Sequence, residues 1–209
     1  MPCRELQRRI RPVRRKPLPK SFYRRSTIEV AKNLLGCILE TRLDSVRTAG
    51  KIVEVEAYVG PDDPAAHGYR NRKTNRNSAL FGPPGTSYVY LIYGMHWCFN
   101  AVTENEGYPS AVLIRAIEPV AGLDTMSRRR RIPDETKLCS GPARLCQALG
   151  IDGTLNGRSL REGPVRILAG DGIKPSAIVS SCRVGVSRAT DWPLRFAERT
   201  SPWLSRPAE

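Results

Sequence analysis

Short apolar segments, each ending at a turn sequence, constrain the fold of this chain more than any other feature of its sequence. Polar or glycine-containing turns separate them at Asp44-Ser45 and at Tyr93-Gly94-Met95. This pattern is typical of β-hairpins. Because hairpins outnumber strand–helix–strand units, we predict a single α+β domain built on an antiparallel sheet. The predicted strands cover residues 37–43, 50–59, 87–92, 96–103 and 110–117.

Helix signals are fewer than strand signals. Ser26 and Glu29 have the spacing of a capping box, which predicts a helix that begins there and stops at Gly36. The other predicted elements are a helix over 119–131, a helix over 142–149 between Pro142 and Gly150, a short helix starting at Pro64 in the polar loop 60–86, and short strands within 151–209.

The charge of the chain predicts a polyanionic partner. The formal net charge is +14 and the pI is about 10.0. Ten Lys and Arg residues and one Glu precede residue 26, and a second basic cluster spans 128–131. Such an excess is typical of nucleic-acid-binding proteins. We divide the chain into a basic, flexible arm over 1–16 and a folded domain over 17–209, with a merely solvated tail as the alternative for the arm.

Several classes of protein are excluded by what the sequence lacks. The six cysteines form no C-x-x-C pair, and neither His67 nor His96 lies beside a cysteine pair, so we expect no disulfide scaffold and no metal site. The sequence has no apolar run long enough for a signal core or a membrane span. We expect an intracellular protein without a cofactor, in the cytoplasm and nucleoid of a bacterium or the nucleus of a eukaryote.

The predicted strand over 50–59 carries paired carboxylates. Side chains alternate along a strand, so neighbouring acidic positions two apart share a face. A carboxylate at the end of such a strand, beside a loop, can hold a water molecule, although an ordinary solvated face is the alternative. The alternation puts Val53, Val55 and Ala57 on the core face and Glu54, Glu56 and Tyr58 on the other.

Arg115 is the unusual residue of the strand over 110–117, because its neighbours are apolar. A buried arginine is rarely left unpaired. It therefore either pairs with Glu54 or Glu56, or extends its long stem to solvent.

The hairpin over 87–103 is the segment richest in aromatic residues. Tyr88 and Tyr90 share a strand face on which a base could stack. The tip at Tyr93 and Met95 is apolar, which suggests a wedge between base pairs. Asn100 could read a base edge through its amide. The alternative for each is a structural role within a packed hairpin.

The loop before this hairpin is rich in cations and polar donors. Residues 70–77 hold three arginines and one lysine, a composition that suits phosphate contacts as well as a solvated loop. His67, just before it, could donate to a base or a phosphate, or could be structural.

Taken together, these segments resemble the alkyladenine (3-methyladenine) DNA glycosylase family. The resemblance is collinear over about residues 17–204. The matching segments are Glu56–Pro61, Ala65–His67, Thr74 with Arg76-Asn77, Tyr88–Tyr90 with Ile92–Met95, Asn100, Leu113 with Arg115-Ala116 and Glu118-Pro119, Leu138–Pro142, Arg183–Val186 and Ser201–Trp203.

The resemblance implies a catalytic group and a water-binding group. Glu56 matches the general base that activates the attacking water. Arg115 and the carbonyl of Val184 match the groups that help to hold that water. It also implies a single mixed domain with a curved antiparallel sheet, flanking helices and a protruding β-hairpin, without metal or cofactor.

The resemblance further implies a pocket for a flipped purine. Tyr58 and Tyr90 would sandwich the base, and His67 would hydrogen-bond near it. Asn100 matches the residue that hinders purines with an exocyclic 2-amino group. Tyr93 matches the side chain that fills the gap left by the flipped nucleotide.

The expected partner is damaged double-stranded DNA, approached from the minor groove by a monomer. Its backbone is expected to contact Arg72, Thr74, Arg76 and Met95. The resemblance predicts a monofunctional glycosylase for alkylated or deaminated purines in base-excision repair. The pair His96-Trp97 departs from the family, which usually has two aromatic residues there, so hairpin contacts with the groove are expected to differ.

Two other functions remain open on the sequence. A glycosylase with lyase activity would use a lysine Schiff base, and Lys51 and Lys73 lie near the predicted site in sequence. A non-enzymatic nucleic-acid binder would hold damaged and undamaged nucleic acid alike and release no base.

Overall fold

The computed structural model describes residues 15–207. Its helices and strands are α1 (Lys20–Tyr23), α2 (Thr27–Leu34), β1 (Ile38–Leu43), β2 (Val46–Tyr58), β3 (Ser87–Ile92), β4 (His96–Thr103), β5 (Ser110–Ala121), α3 (Leu123–Arg130), α4 (Pro142–Leu149), β6 (Val165–Leu168), β7 (Ile178–Ser181) and β8 (Arg195–Glu198). Short 3-10 helices lie at Tyr69–Asn71, Asn75–Phe81, Glu135–Lys137, Gly153–Leu155 and Pro175–Ala177.

The strands form one antiparallel sheet around the long strand β2. The sheet has eight strands, in the order β3-β4-β5-β2-β1-β6, with β8 added beside β2 and β7 beside β8. β5 pairs with one edge of β2, while β1 and then β8 pair with the other. The predicted α+β class with an antiparallel sheet is therefore confirmed.

The core lies on one face of this sheet. Helices α2 and α4 supply Val30, Leu34, Leu145 and Leu149, which pack in one cluster with sheet residues such as Val55. The opposite face of β3, β4 and β5 carries a smaller apolar cluster of Leu80, Tyr88, Val102 and Ala111, and beside it lie polar and aromatic side chains.

Two irregularities in the pairing of β2 with β5 change which side chains share a face. Val53 is an extra residue on β2 between the pairs Ile52–Ile117 and Glu54–Ala116, and Arg115 is an extra residue on β5 directly afterwards. Ile52 and Val55 both belong to the main core cluster, whereas Val53 is buried outside it. The predicted simple alternation was therefore wrong at Val53, because a bulge shifts the side-chain phase by one residue.

Helix and strand ends were predicted well where local signals decide them. The hydroxyl of Ser26 accepts from the backbone N–H of Glu29 and caps α2 as predicted. Helix α4 begins at Pro142 and ends before Gly150, whose φ of 72° needs glycine. The hairpin strands β3 and β4 have the predicted bounds.

Three predicted boundaries were wrong. No helix starts at Pro64, because the N–H of Ala66 closes a single turn on the carbonyl of Asp63 and no further helical bond directly follows it. The helix predicted over 119–131 begins at Leu123, because sheet pairing with β2 continues β5 to Ala121. The strand predicted over 50–59 begins at Val46, where it pairs with β1.

The N-terminal end of the described chain contacts the loop that follows β6. Arg15 pairs with the carboxylate of Asp171, and the carbonyl of Lys16 accepts from the N–H of Ala169. Residues 1–14, most of the predicted basic arm, lie outside the described residues. Among residues 15–207, no helix combines the length and apolar character needed to cross a membrane.

Candidate active site

A cavity of about 610 Å³ opens on the sheet face opposite the core. Its volume is in the range of small-molecule sites. It brings together residues that are far apart in the sequence. Among the predicted site residues, its lining includes Tyr58, His67, Tyr90, Tyr93, Asn100, Arg115 and Val184.

Glu56 lies behind the wall of this cavity and is 0% exposed. One carboxylate oxygen accepts the backbone N–H of Val184 at 2.7 Å. The other accepts the hydroxyl of Tyr58 at 3.0 Å and lies 3.2 Å from a terminal nitrogen of Arg115. A solvated strand face, the alternative left open by the sequence, is therefore ruled out. The three donors fix the orientation of the carboxylate toward the cavity lining.

Arg115 is held between two carboxylates. Its Nε donates to Glu54 at 3.0 Å while its terminal nitrogen faces Glu56. Glu54 also accepts from Arg195 Nε at 2.8 Å and from the N–H and hydroxyl of Ser205. Burial opposes the charge on Glu54, but Arg115, Ser205 and Arg195 outweigh it and lower the pKa of its carboxyl group. Glu54 thus positions the arginine that contacts Glu56.

A buried ion pair supports the cavity wall behind Tyr58. Arg183 makes a two-pronged contact with Asp63, and both side chains are 0% exposed. The guanidinium carbon lies 4.7 Å from the centre of the Tyr58 ring. Asp63 also accepts the N–H groups of Val59 and Ala65. The pair therefore ties the end of β2 to the loop that carries His67 and to the segment that precedes Val184.

Aromatic side chains form the wall on the β3 side. The ring of Tyr90 lies 4.5 Å from that of His67 and 5.3 Å from that of Tyr88. The hydroxyl of Tyr88 lies 2.7 Å from Nδ1 of His67 and orients its ring. Burial of the ring and the cation of Arg76 lower the pKa of His67, which favours its neutral form.

Asn100 is fixed in place on β4. Its side-chain NH₂ donates to the backbone carbonyl of Tyr88 at 3.0 Å, and the residue is only 3% exposed. The amide is therefore a rigid part of the cavity lining.

The hairpin tip is exposed and strained. Tyr93 and Gly94 have φ of 54° and 69°, a turn that normally takes asparagine and glycine. Tyr93 is 84% exposed and Met95 is 70% exposed. A packed core hairpin is therefore ruled out for the tip. His96 is also exposed, whereas Trp97 packs against the core. Of the two residues that differ from the family pattern, only His96 therefore faces outward.

The basic loop before β3 is built around a capped 3-10 helix. Thr74 and Asn77 cap each other at its start. Arg76 donates to the backbone carbonyl of Leu91 at 2.6 Å and so braces the hairpin. Arg72 is exposed beside them. The structure therefore brings this loop to the hairpin, and phosphate contacts by Arg72, Thr74 and Arg76 remain a prediction.

Comparison with known proteins agrees with this geometry. The methylpurine-DNA glycosylase family matches residues 21–202. The chain belongs to this family. The resemblance predicted from the sequence motifs is therefore confirmed.

Similar proteins of this family come from distant organisms. A protein of Methanoculleus marisnigri named "Putative 3-methyladenine DNA glycosylase" is 53% identical to this chain, and a protein of Carboxydothermus hydrogenoformans with the same name is 46% identical to it. Each match covers 90% of this chain and 98% of the relative. The DNA-3-methyladenine glycosylase of Homo sapiens is 42% identical, covering 88% of this chain and 66% of the human protein.

Four residues of this glycosylase-family site were not predicted from the sequence. Asp63, Arg183, Arg195 and Ser205 hold the cavity wall and Glu54 from segments distant in the chain. Arg195, the first residue of β8, lies between the apolar residues Leu194 and Phe196, the same signal that pointed to Arg115. The N–H of Val184, which donates to Glu56, was also not predicted, because a backbone N–H contact does not depend on the type of residue that makes it.

Proposed function

We propose that this chain is a monofunctional DNA glycosylase of base-excision repair. It flips an alkylated or deaminated purine out of the duplex, hydrolyses the N-glycosidic bond and leaves an abasic site. The observation that carries the proposal is a buried carboxylate, Glu56, held by three donors behind a tyrosine- and histidine-lined cavity in a methylpurine-DNA glycosylase chain.

The cavity walls suit a flipped purine. Flipping a base costs a few kcal/mol, and aromatic stacking contributes about 1–3 kcal/mol per base. Tyr58 and Tyr90 are proposed to sandwich the base, with neutral His67 hydrogen-bonding beside them. Because its amide is tied to the backbone, Asn100 cannot move away from a 2-amino group and so would hinder purines that carry one.

Glu56 is proposed to perform two tasks in the reaction. As general base it takes a proton from the attacking water, which Arg115 and the carbonyl of Val184 help to hold. Its negative charge also stabilises the cationic sugar that develops as the bond to the base breaks, as in other glycoside hydrolyses. When the purine is alkylated and cationic, the electron pair of the glycosidic bond leaves with it, so the base departs neutral while the water proton goes to Glu56. A neutral deaminated purine takes a proton from solvent as it leaves.

The contacts of Lys51 favour hydrolysis over lyase chemistry. Nζ of Lys51 lies 2.8 Å from Glu118 and 3.1 Å from Glu198. Burial opposes its charge, but the two carboxylates outweigh burial and raise the pKa of Lys51. A protonated amine is no nucleophile, so Lys51 is a poor candidate for a Schiff base.

The exposed tip suits entry into the minor groove. Tyr93 would fill the gap left by the flipped nucleotide, and Arg72, Thr74, Arg76 and Met95 would contact the DNA backbone. The protein is proposed to act as a monomer wherever the genome lies: the cytoplasm and nucleoid, or the nucleus.

Base release from duplexes that each carry one defined lesion tests the proposal. We expect release of at least one alkylated or deaminated purine, an abasic product that remains intact until it is treated with alkali, and no release from the undamaged duplex. Borohydride should trap no covalent complex. Trapping would replace hydrolysis by lyase chemistry, while equal binding to all duplexes without release of any base would leave only a nucleic-acid binder.

A further inference from the structure

Another buried carboxylate lies on β1, away from the cavity, and is surrounded by three arginines. Glu40 on β1 is 1% exposed. It accepts from Arg47 Nε at 2.5 Å, Arg166 Nη2 at 2.6 Å and Arg42 Nε at 3.1 Å. We call Arg42, Arg47 and Arg166 the arginine triad. One carboxylate against three guanidinium groups leaves an excess of two positive charges.

The triad is open to solvent on its outer side. The side chains of Arg42, Arg47 and Arg166 are 59%, 46% and 25% exposed. Arg42 and Arg47 each bind Glu40 through Nε alone, and within residues 15–207 their terminal nitrogens have no other acceptor. The two terminal nitrogens of each guanidinium are the donors with which arginine binds a phosphate in a two-pronged contact.

The triad shares a sheet face with the cavity. Leu39 and Ile167 belong to the main core cluster, so Glu40 and Arg166, one residue away, face the opposite side. The hydroxyl of Thr48 on β2 donates to the backbone carbonyl of Leu149 in α4, on the core side of the sheet. Arg47, one residue earlier, therefore faces away from the core as well.

The spacing matches the reach of duplex DNA. Arg47 precedes Glu56 by nine positions along β2, which include the bulged residue Val53. At about 3.3 Å per residue this is at most about 30 Å, the length of about nine base pairs.

We propose that the arginine triad is a second phosphate-binding surface, which holds the backbone of duplex DNA about nine base pairs from the base to be excised. The inference rests on the proposed function, because it takes the partner in the cavity to be duplex DNA. Glu40 acts as the internal anion that fixes the three side chains, while their free nitrogens meet phosphate.

The test compares a short and a long lesion duplex. One reaches about 5 base pairs on each side of the lesion and the other about 15, so only the long one spans the distance to the triad. The double variant Arg42→Gln/Arg47→Gln should bind the long duplex more weakly, with a log–log salt slope shallower by about 1.8, or about 0.9 for each lost contact. Binding to the short duplex and single-turnover base release from it should be unchanged.

Two further variants keep the result interpretable. Arg161→Gln/Arg199→Gln removes the same charge at exposed positions and should leave the difference between the duplexes intact. Arg42→Lys/Arg47→Lys keeps the charge without the paired donors and should lose only part of the effect. An unchanged salt slope on the long duplex overturns the proposal, as does an equal loss on both duplexes or in the control. Failure of the proposed function would show instead as absent base release in every variant, with the length dependence still measurable.

Discussion

Two buried carboxylates on the same face of the sheet differ in what surrounds their arginines. Glu54 binds Arg115 and Arg195, which are 8% and 4% exposed, and the remaining nitrogens of these arginines reach Glu56, serine hydroxyls and the C-terminal backbone. Glu40 binds the arginine triad, whose outer nitrogens face solvent. The first network is closed, and the second is open.

The closed network suits the positioning of a catalytic side chain, whereas the open network suits the binding of a partner. In a closed network every donor has an internal acceptor, so the network can hold Arg115 against Glu56 but has nothing left for a partner. Removing one member leaves a buried charge without compensation. In an open network water already solvates part of each charge, so the contacts add little to stability, and the free donors remain for an anion.

The largest expected effect separates Glu56 from Glu40 by activity. Glu56→Gln keeps the shape of the side chain but cannot accept a proton, and we expect single-turnover base release to fall by about 10²–10⁴-fold. Glu40→Gln should leave that rate unchanged at saturating enzyme. Lesion-duplex affinity should survive in Glu56→Gln. A rate within about tenfold of wild type would remove Glu56 from the general-base role.

A smaller effect compares stability. Glu54→Gln leaves Arg115 and Arg195 buried beside a neutral amide, and we expect a loss of about 3–5 kcal/mol in the free energy of unfolding. Glu40→Gln should cost about 1 kcal/mol or less, since its partners are solvated. Urea denaturation of both variants measures the difference. Equal losses would mean that the two networks are equally closed.

The next prediction concerns Tyr93 at the hairpin tip, which is exposed, unlike the buried carboxylates. Tyr93→Asn places at φ of 54° a residue that tolerates this conformation, so the free energy of unfolding should rise by about 1 kcal/mol. Retention of lesion or abasic duplex should fall more than binding to intact duplex, because the plug is lost. If both duplexes lose the same affinity, Tyr93 has no specific part in holding the flipped state.

The smallest expected effect concerns acid. Burial opposes ionisation of Glu40, but Arg47, Arg166 and Arg42 outweigh it and lower its pKa, as their counterparts do for Glu54. A lowered pKa gives stability that is present above the usual value of 4.5 and is lost as pH falls through the folded-state value. The urea midpoint of the wild type should therefore drop in acid. Glu54→Gln should flatten that drop more than Glu40→Gln, and the reverse order would contradict the comparison.

Much of the candidate site could be predicted because strand alternation is local. The two-residue period that put Glu56 and Tyr58 on one face needs no partner strand, and the apolar neighbours of Arg115 already raised pairing with Glu54 or Glu56 as one of two alternatives. The boundaries of the hairpin and of α4 followed from turn and capping residues for the same reason.

Other features depend on contacts between distant segments. The bulge at Val53 exists only because β5 pairs with β2, and Asp63 is held by Arg183, 120 residues away. Ser205 reaches Glu54 across 151 residues. No window of sequence contains both members of such a pair.

The amino-acid sequence alone was enough for the fold class, the family and several of the residues that line the cavity, because periodicity, turn chemistry and motif order are written along the chain. The tertiary structure alone decided that Glu56 is buried with three donors. It also decided that the network around Glu54 is closed, whereas the network around Glu40 is open to solvent. Exposure of a guanidinium depends on what packs above it. That packing is settled only when β6, β8 and the C-terminal segment come together around β1 and β2.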